Sequence, residues 1–236
     1  MTETTFAGAT VGLQGVQPDL AKLLAIVNWK QPDNALNLLS FLGLTGHFHD
    51  LIKSYSRIEG PLCDLIKQVD IPKPISKATY RRAMTNFKLP DKWEQKHTEA
   101  FLNLKIALTC QPALHAPRYD GTPFIVTMDG CQEGFGAVLM QKIKTQTPNG
   151  KPVERTVPIV FASKRTSTAE RKYKPFLLEF AALKFGLDQF LDTIWGFPIE
   201  IETDCQALKD VLSNDNMSAV HVWWRDGIIA HNIIAV

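Results

Sequence analysis

Cysteine is scarce in this chain: four in 236 residues, Cys63, Cys110, Cys131 and Cys205, with no CxxC pair among them. That number and spacing exclude the disulfide framework of a secreted scaffold and offer no zinc pattern, so reduced thiols in a cytoplasmic or nuclear setting are expected. Long apolar runs are missing too. No stretch approaches the roughly 18 apolar residues of a membrane span, and the opening MTETTFAGATVG lacks the basic-then-apolar order of a secretory leader, so no membrane partner is expected. Charge of one sign is also lacking. The 26 Lys and Arg nearly balance the 24 Asp and Glu, leaving +2, so no global field draws the chain to nucleic acid and any such binding must come from local patches. Hydrophobic residues are ample at 45%, enough for the core of one large or two small domains.

The residues that carry chemistry concentrate after Pro123. The run PFIVTM favours a strand, ends at Asp129, and is followed by Gly130, Gly134, Gly136 and a second apolar run, AVLM, which together predict a hairpin. A carboxylate backed by hydrophobic sheet is costly to bury unless something positive compensates it, and a divalent cation commonly does; an aspartate that only caps the turn is the other reading. Glu179 lies in PFLLEFAALKFGLDQFLDTIWG, where Phe176, Phe180, Leu183, Leu187, Phe190, Leu191 and Ile194 recur at helical spacing. At about 100° per residue it falls at the edge of the apolar arc and points toward the sheet. Asp204 closes the alternating strand FPIEIETD before the helical ALKDVL. Taken singly, Glu179 reads as a surface-edge residue and Asp204 as an N-cap. Carried together by a strand, a helix and a later strand, the three make an oxygen-only site suited to Mg²⁺ or Mn²⁺.

The words TMDGCQEGFGAVLMQ, PIVFASKRTSTAERKY, LLEFAALKFGL and IETDCQAL, in that order, resemble the ribonuclease H domain of gypsy-type LTR retrotransposon polyproteins. Upstream, Trp93, Ala100, Phe101, Leu104, Lys105, Pro112 and Leu114 match the wording that leads into that domain. Earlier still, FAGATVGLQGVQPD, AIVNWKQP, FLGLTGHF and IEGPLCDLI resemble the reverse transcriptase thumb and connection. The resemblance implies that Asp129, Glu179 and Asp204 are the catalytic carboxylates, binding two metal ions that cleave the RNA strand of an RNA–DNA hybrid. The family places a fourth Asp in a last helix. This chain reaches Val236 without that motif, so reduced activity is expected. Polymerases of this kind need a Tyr-x-Asp-Asp turn; no Asp-Asp pair occurs here, which excludes DNA synthesis.

The expected architecture is α+β. Residues 1–67 read as a thumb/connection-like helical unit, 68–92 as a basic linker, and 93–236 as a ribonuclease H-like domain, truncated at its C-terminus, with a mixed sheet of about five strands. Helices are predicted over Leu20–Trp29, over LNLLSFLGLTGHF with its cap at Pro32 and Asp33, over DLIKSYSRIEGPLCDLIK with an interruption at Gly60 and Pro61, and over Trp93–Leu108. IKTQTPNGKPVERT reads as a polar turn, and the closing NIIAV as an edge strand. Lys164, Arg165, Arg171 and Lys172 flank the start of the Glu179 helix, and Arg81 and Arg82 lie in the linker. They are candidate nucleic-acid contacts, with plain solvated surface as the alternative. The expected partner is an RNA–DNA hybrid or other nucleic acid. The rival reading is a catalytically inactive retrotransposon fragment acting as a nucleic-acid- or protein-binding module.

Overall fold

The computed structural model describes residues 4–6, 9–12, 15–71, 76–110, 114–146, 152–206, 208 and 225–236. Contacts divide the chain into two units, Met1–Leu13 with Gln17–Pro112, and Gln14–Val16 with Ala113–Val236.

In the first unit β1 (Thr4–Phe6) pairs antiparallel with β2 (Ala9–Gly12); β3 (Gly15–Pro18) is divided between the two units after Val16. Helices α1 (Leu20–Val27), α2 (Ala35–Gly46), α3 (Tyr55–Ile66), α4 (Lys77–Asn86) and α5 (Gln95–Cys110) come next. The cap of α2 is Asn34, whose side chain accepts the Asn37 N–H at 2.9 Å, one residue beyond the expected Asp33. The backbone carbonyl of Asp33 accepts the Leu89 N–H at 3.1 Å. Helix α3 runs through Gly60 and Pro61 without the predicted break. A proline inside a helix costs about 3 kcal/mol, and burial of Tyr55, Leu62 and Leu65 on the same helix outweighs it.

The core of this unit gathers Leu38, Phe41, Leu62, Leu65, Phe101 and Leu104, with the Phe41 and Phe101 rings 4.5 Å apart. Helix α5 therefore packs with the helices before it, and the contact boundary falls after Pro112, whereas the sequence reading drew one at 93. Within the segment read as a linker lies α4, which is capped by Ser76 accepting the Thr79 N–H at 3.1 Å and buries Met84.

The second unit holds β4 (Phe124–Gly130), β5 (Gly134–Gln146), β6 (Pro152–Arg165), α6 (Pro175–Ile194), β7 (Ile199–Glu202) and β8 (Ile233–Ala235). The sheet order is β6-β5-β4-β7-β8, with β4 antiparallel to β5 and parallel to β7, and β8 at an edge. This is the mixed five-stranded sheet of the α+β reading. The polar turn is shorter than expected. Strands β5 and β6 pair outward through Lys142↔Thr156 and Lys144↔Glu154 to Gln146↔Pro152, so most of IKTQTPNGKPVERT is ladder. Mostly polar residues on a two-stranded overhang have no face to bury, and without an apolar alternation they read as loop.

Helix α6 lays Phe180, Leu183, Leu187 and Phe190 against Phe124, Val126, Met128 and Leu139 of the sheet. Gly186 permits the close crossing: a β-carbon there would sit 3.0 Å from Ala137 Cβ. The predicted ALKDVL helix lies outside the described residues, apart from Leu208, which is buried in the core.

Candidate carboxylate site

Asp129 is the penultimate residue of β4, opposite Gly136 on β5, and its side chain is exposed while Met128 and Gly130 on either side are buried. The period-2 alternation of a strand accounts for this, with the core-facing positions already taken by Val126 and Met128. Asp204 lies two residues beyond the end of β7, also exposed, in a turn where the Thr203 hydroxyl accepts the Cys205 N–H at 3.1 Å. Because β7 runs parallel to β4 and pairs with it as far as Thr127↔Glu202, the two chain exits open at the same edge of the sheet. Ligand sites of open sheets form at carboxyl ends of this kind.

Glu179 reaches that edge from α6. It is half-buried, one residue after Leu178, in the turn of α6 that presses on the end of β4. Burial pushes its carboxyl above the ordinary glutamate range, the Asp129 charge adds to the rise, the Gly130 N–H that donates to it opposes the rise, and Asp204 adds a further upward push. Thus both aspartates named from the sequence act on Glu179 in the folded chain. Their chemistry, oxygen-only with mutual negative charge, fits a hard divalent cation. Among the described residues, no group of three or more His, Cys, Asp or Glu side chains is gathered closely enough to hold an ion.

The basic residues divide. Lys164 is taken up inside the fold: its Nζ meets Glu170 Oε1 at 2.6 Å and stands 5.0 Å from the Phe135 ring centroid. Glu170 also accepts the Ser167 N–H at 2.7 Å and donates its own N–H to the Ser167 hydroxyl at 3.3 Å. This reciprocal pair is a capping box on the turn Glu170–Lys172. Its S-x-x-E spacing was readable in STAE, and the sequence reading missed it. Arg165 is half-buried, whereas Arg171 and Lys172 are exposed on that turn. Arg81 and Arg82 are exposed on α4, in the first unit. Cys131 is exposed, and its thiol donates to the Gly134 carbonyl at 3.4 Å across the hairpin turn.

Residues 93–201 match the family model of the RNase H-like domain found in reverse transcriptase. Two Drosophila melanogaster relatives are similar over almost all of the chain: the retrovirus-related Pol polyprotein from transposon opus, 27% identical over 98% of the chain, and that from transposon gypsy, 26% identical over 96%. The chain spans 21% and 20% of their lengths, about a fifth. Among solved structures, the foamy viral protease-reverse transcriptase in complex with RNA/DNA hybrid shares the fold, with a TM-score of 0.71 at 20% identity over 99% of this chain and 28% of that one. The chain is thus similar over nearly its whole length to retrovirus-related Pol polyproteins, and its residues 93–201 match the RNase H-like domain found in reverse transcriptase.

Proposed function

We propose that the second unit hydrolyses the RNA strand of RNA–DNA hybrids, with Asp129, Glu179 and Asp204 as the catalytic, metal-holding carboxylates. The observation that carries this reading is the electrostatic coupling of Glu179 to both aspartates at one edge of the sheet. Mg²⁺ or Mn²⁺ bound there would supply an activated water and stabilisation of the departing 3′ oxygen. Asp129 and Asp204, being exposed, can offer oxygen ligands at little desolvation cost. Glu179 lies on a helix packed against the end of β4, within reach of the charge of both aspartates. Arg171 and Lys172, exposed just before α6, are placed to meet the phosphate backbone. The foamy viral relative in fold is seen with an RNA/DNA hybrid, which supports the choice of substrate. Preference for a hybrid would arise from contacts to 2′-hydroxyl groups across the minor groove.

One observation favours a second reading, a module that binds nucleic acid or protein without cutting: the described acidic side chains are not gathered into a ligand cluster. Incubation of a labelled RNA–DNA hybrid with the protein and Mg²⁺ or Mn²⁺ separates the two. Cleavage that disappears in Asp129→Asn supports the nuclease. Binding with no cleavage in either metal establishes the module.

A further inference from the structure

A second concentration of charge lies on α4, in the other unit. Between Asp70 and Asp91 the sequence contains Lys73, Lys77, Arg81, Arg82 and Lys88 and no acid. Among the described residues, Lys77, Arg81, Arg82 and Lys88 form no ion pair, whereas Lys67, Lys96, Lys142, Lys164 and Lys184 each hold a carboxylate. Unpaired cations of this kind are available to an external anion.

Beside this helix is a cleft of about 610 Å³, whose walls include Gln68, Asp70, Ala78, Arg82, Asn86 and Phe87. Its volume lies within the range of small-ligand pockets, and its chemistry has a direction. Arg82 provides a planar fork suited to a phosphate. Asp70 would repel a phosphate but accept an N–H from a base edge, and the Gln68 and Asn86 amides can donate or accept. The Phe87 ring, with Lys92 Nζ 5.1 Å from its centroid, adds an apolar aromatic wall, and Ala78 leaves the cavity open. Lys77 and Arg81, four residues apart on α4, lie on one side of the helix, where they can follow a strand beyond the cleft. Bases in a duplex are stacked and paired, and turning one out costs a few kcal/mol, so an unpaired nucleotide enters the cavity most readily.

We infer that the cleft beside α4 takes one nucleotide of a single-stranded nucleic acid, with the base inside, its phosphate on Arg82, and neighbouring phosphates on Arg81 and Lys77. The site belongs to the first unit and does not depend on whether the carboxylates of the second cut RNA.

The test is fluorescence anisotropy with a labelled oligodeoxycytidylate of about 12 nucleotides, alone or annealed to its complement, against the full chain carrying Asp129→Asn so that cleavage plays no part. The single strand is expected to bind more tightly than the duplex. Arg82→Gln and Ala78→Trp should each weaken binding by about tenfold, the scale of one lost base stack or phosphate contact. Ala78→Trp is the decisive variant: position 78 is exposed on the helix, so the bulky ring fills the cleft, leaves net charge unchanged and spares the core. Arg81→Gln removes the same charge outside the cleft and should weaken binding by only about two- to threefold. Cytidine monophosphate should compete weakly, since it lacks the flanking phosphates. Ala78→Trp binding as tightly as the parent, Arg81→Gln equalling Arg82→Gln, a preference for duplex, or no binding of the single strand would each overturn the assignment.

Discussion

The carbonyl oxygen of Leu178 stands where a β-carbon of residue 130 would have to be, 2.3 Å from that position, so α6 meets β4 at a point only Gly130 permits. The same glycine's N–H donates to Glu179. One residue therefore sets the position of the helix that carries Glu179. Gly130→Ala should destabilise the protein by about 1–3 kcal/mol through overpacking, read from the urea midpoint. Gly186→Ala should cost less, because the nearest obstacle is the Ala137 methyl group at 3.0 Å and not backbone. Equal losses in the two variants would show that α6 can shift along the strand.

Under the proposed function, Asp129→Asn abolishes cleavage and yet stabilises the metal-free protein. Its negative charge raises the cost of keeping Glu179 ionised, so its removal relieves repulsion. The expected gain in Tm is about 1–2 °C without metal. Millimolar Mn²⁺ should raise the Tm of the parent protein and not that of the variant. A lower Tm for metal-free Asp129→Asn would mean that the aspartate is a structural cap.

Lys164 and its neighbours were grouped as nucleic-acid contacts, and the structure separates their expected roles. Lys164→Ala removes the partner of Glu170 and a cation over Phe135, so it should cost about 1 kcal/mol of stability, with little change in hybrid binding. Arg171→Ala and Lys172→Ala should behave oppositely, weakening binding while leaving the urea midpoint in place. Anisotropy with a labelled hybrid and parallel urea melts distinguish these outcomes. Strong loss of binding in Lys164→Ala with unchanged stability would show that the ion pair opens for substrate.

Two buried histidines make the fold acid-sensitive. Burial is the main cause lowering the pKa of His97 and of His231 below the ordinary 6.5, assisted by Lys96 in the first case and Lys184 in the second, and resisted by Glu94 and Asp188. His97 Nδ1 accepts the Glu94 N–H at 2.8 Å, an arrangement that protonation would destroy. The native state thus disfavours the imidazolium. Stability is fully present above the unfolded pKa of 6.5 and is lost as pH falls from there toward the lowered native values. The urea midpoint should therefore drop between about pH 7.5 and about pH 5, and His97→Gln with His231→Gln should flatten that drop. An unchanged slope in the double variant would assign the acid sensitivity to carboxylates.

Local pattern carried much of this protein. A continuous apolar run marked β4, period 3.6 marked α6 and period 2 marked β7, and they put Asp129, Glu179 and Asp204 at element ends and edges, because side-chain direction within an element follows from its repeat alone. Where those elements go relative to one another is a separate matter. That Asp204 emerges beside Asp129 depends on the parallel pairing of β7 with β4, a contact between residues 75 positions apart, as in Phe124↔Ile199, that no short window contains. Helix α5 read correctly as a helix, but its allegiance to the first unit rests on Phe101 meeting Phe41. Lys164 reads as a free cation until Glu170 is folded back onto it. Gly130 reads as a turn glycine until Leu178 is pressed against it. Periodicity is a property of the backbone repeat, whereas packing, charge pairing and close approach depend on which distant segments share the same space, and only the tertiary structure decides that.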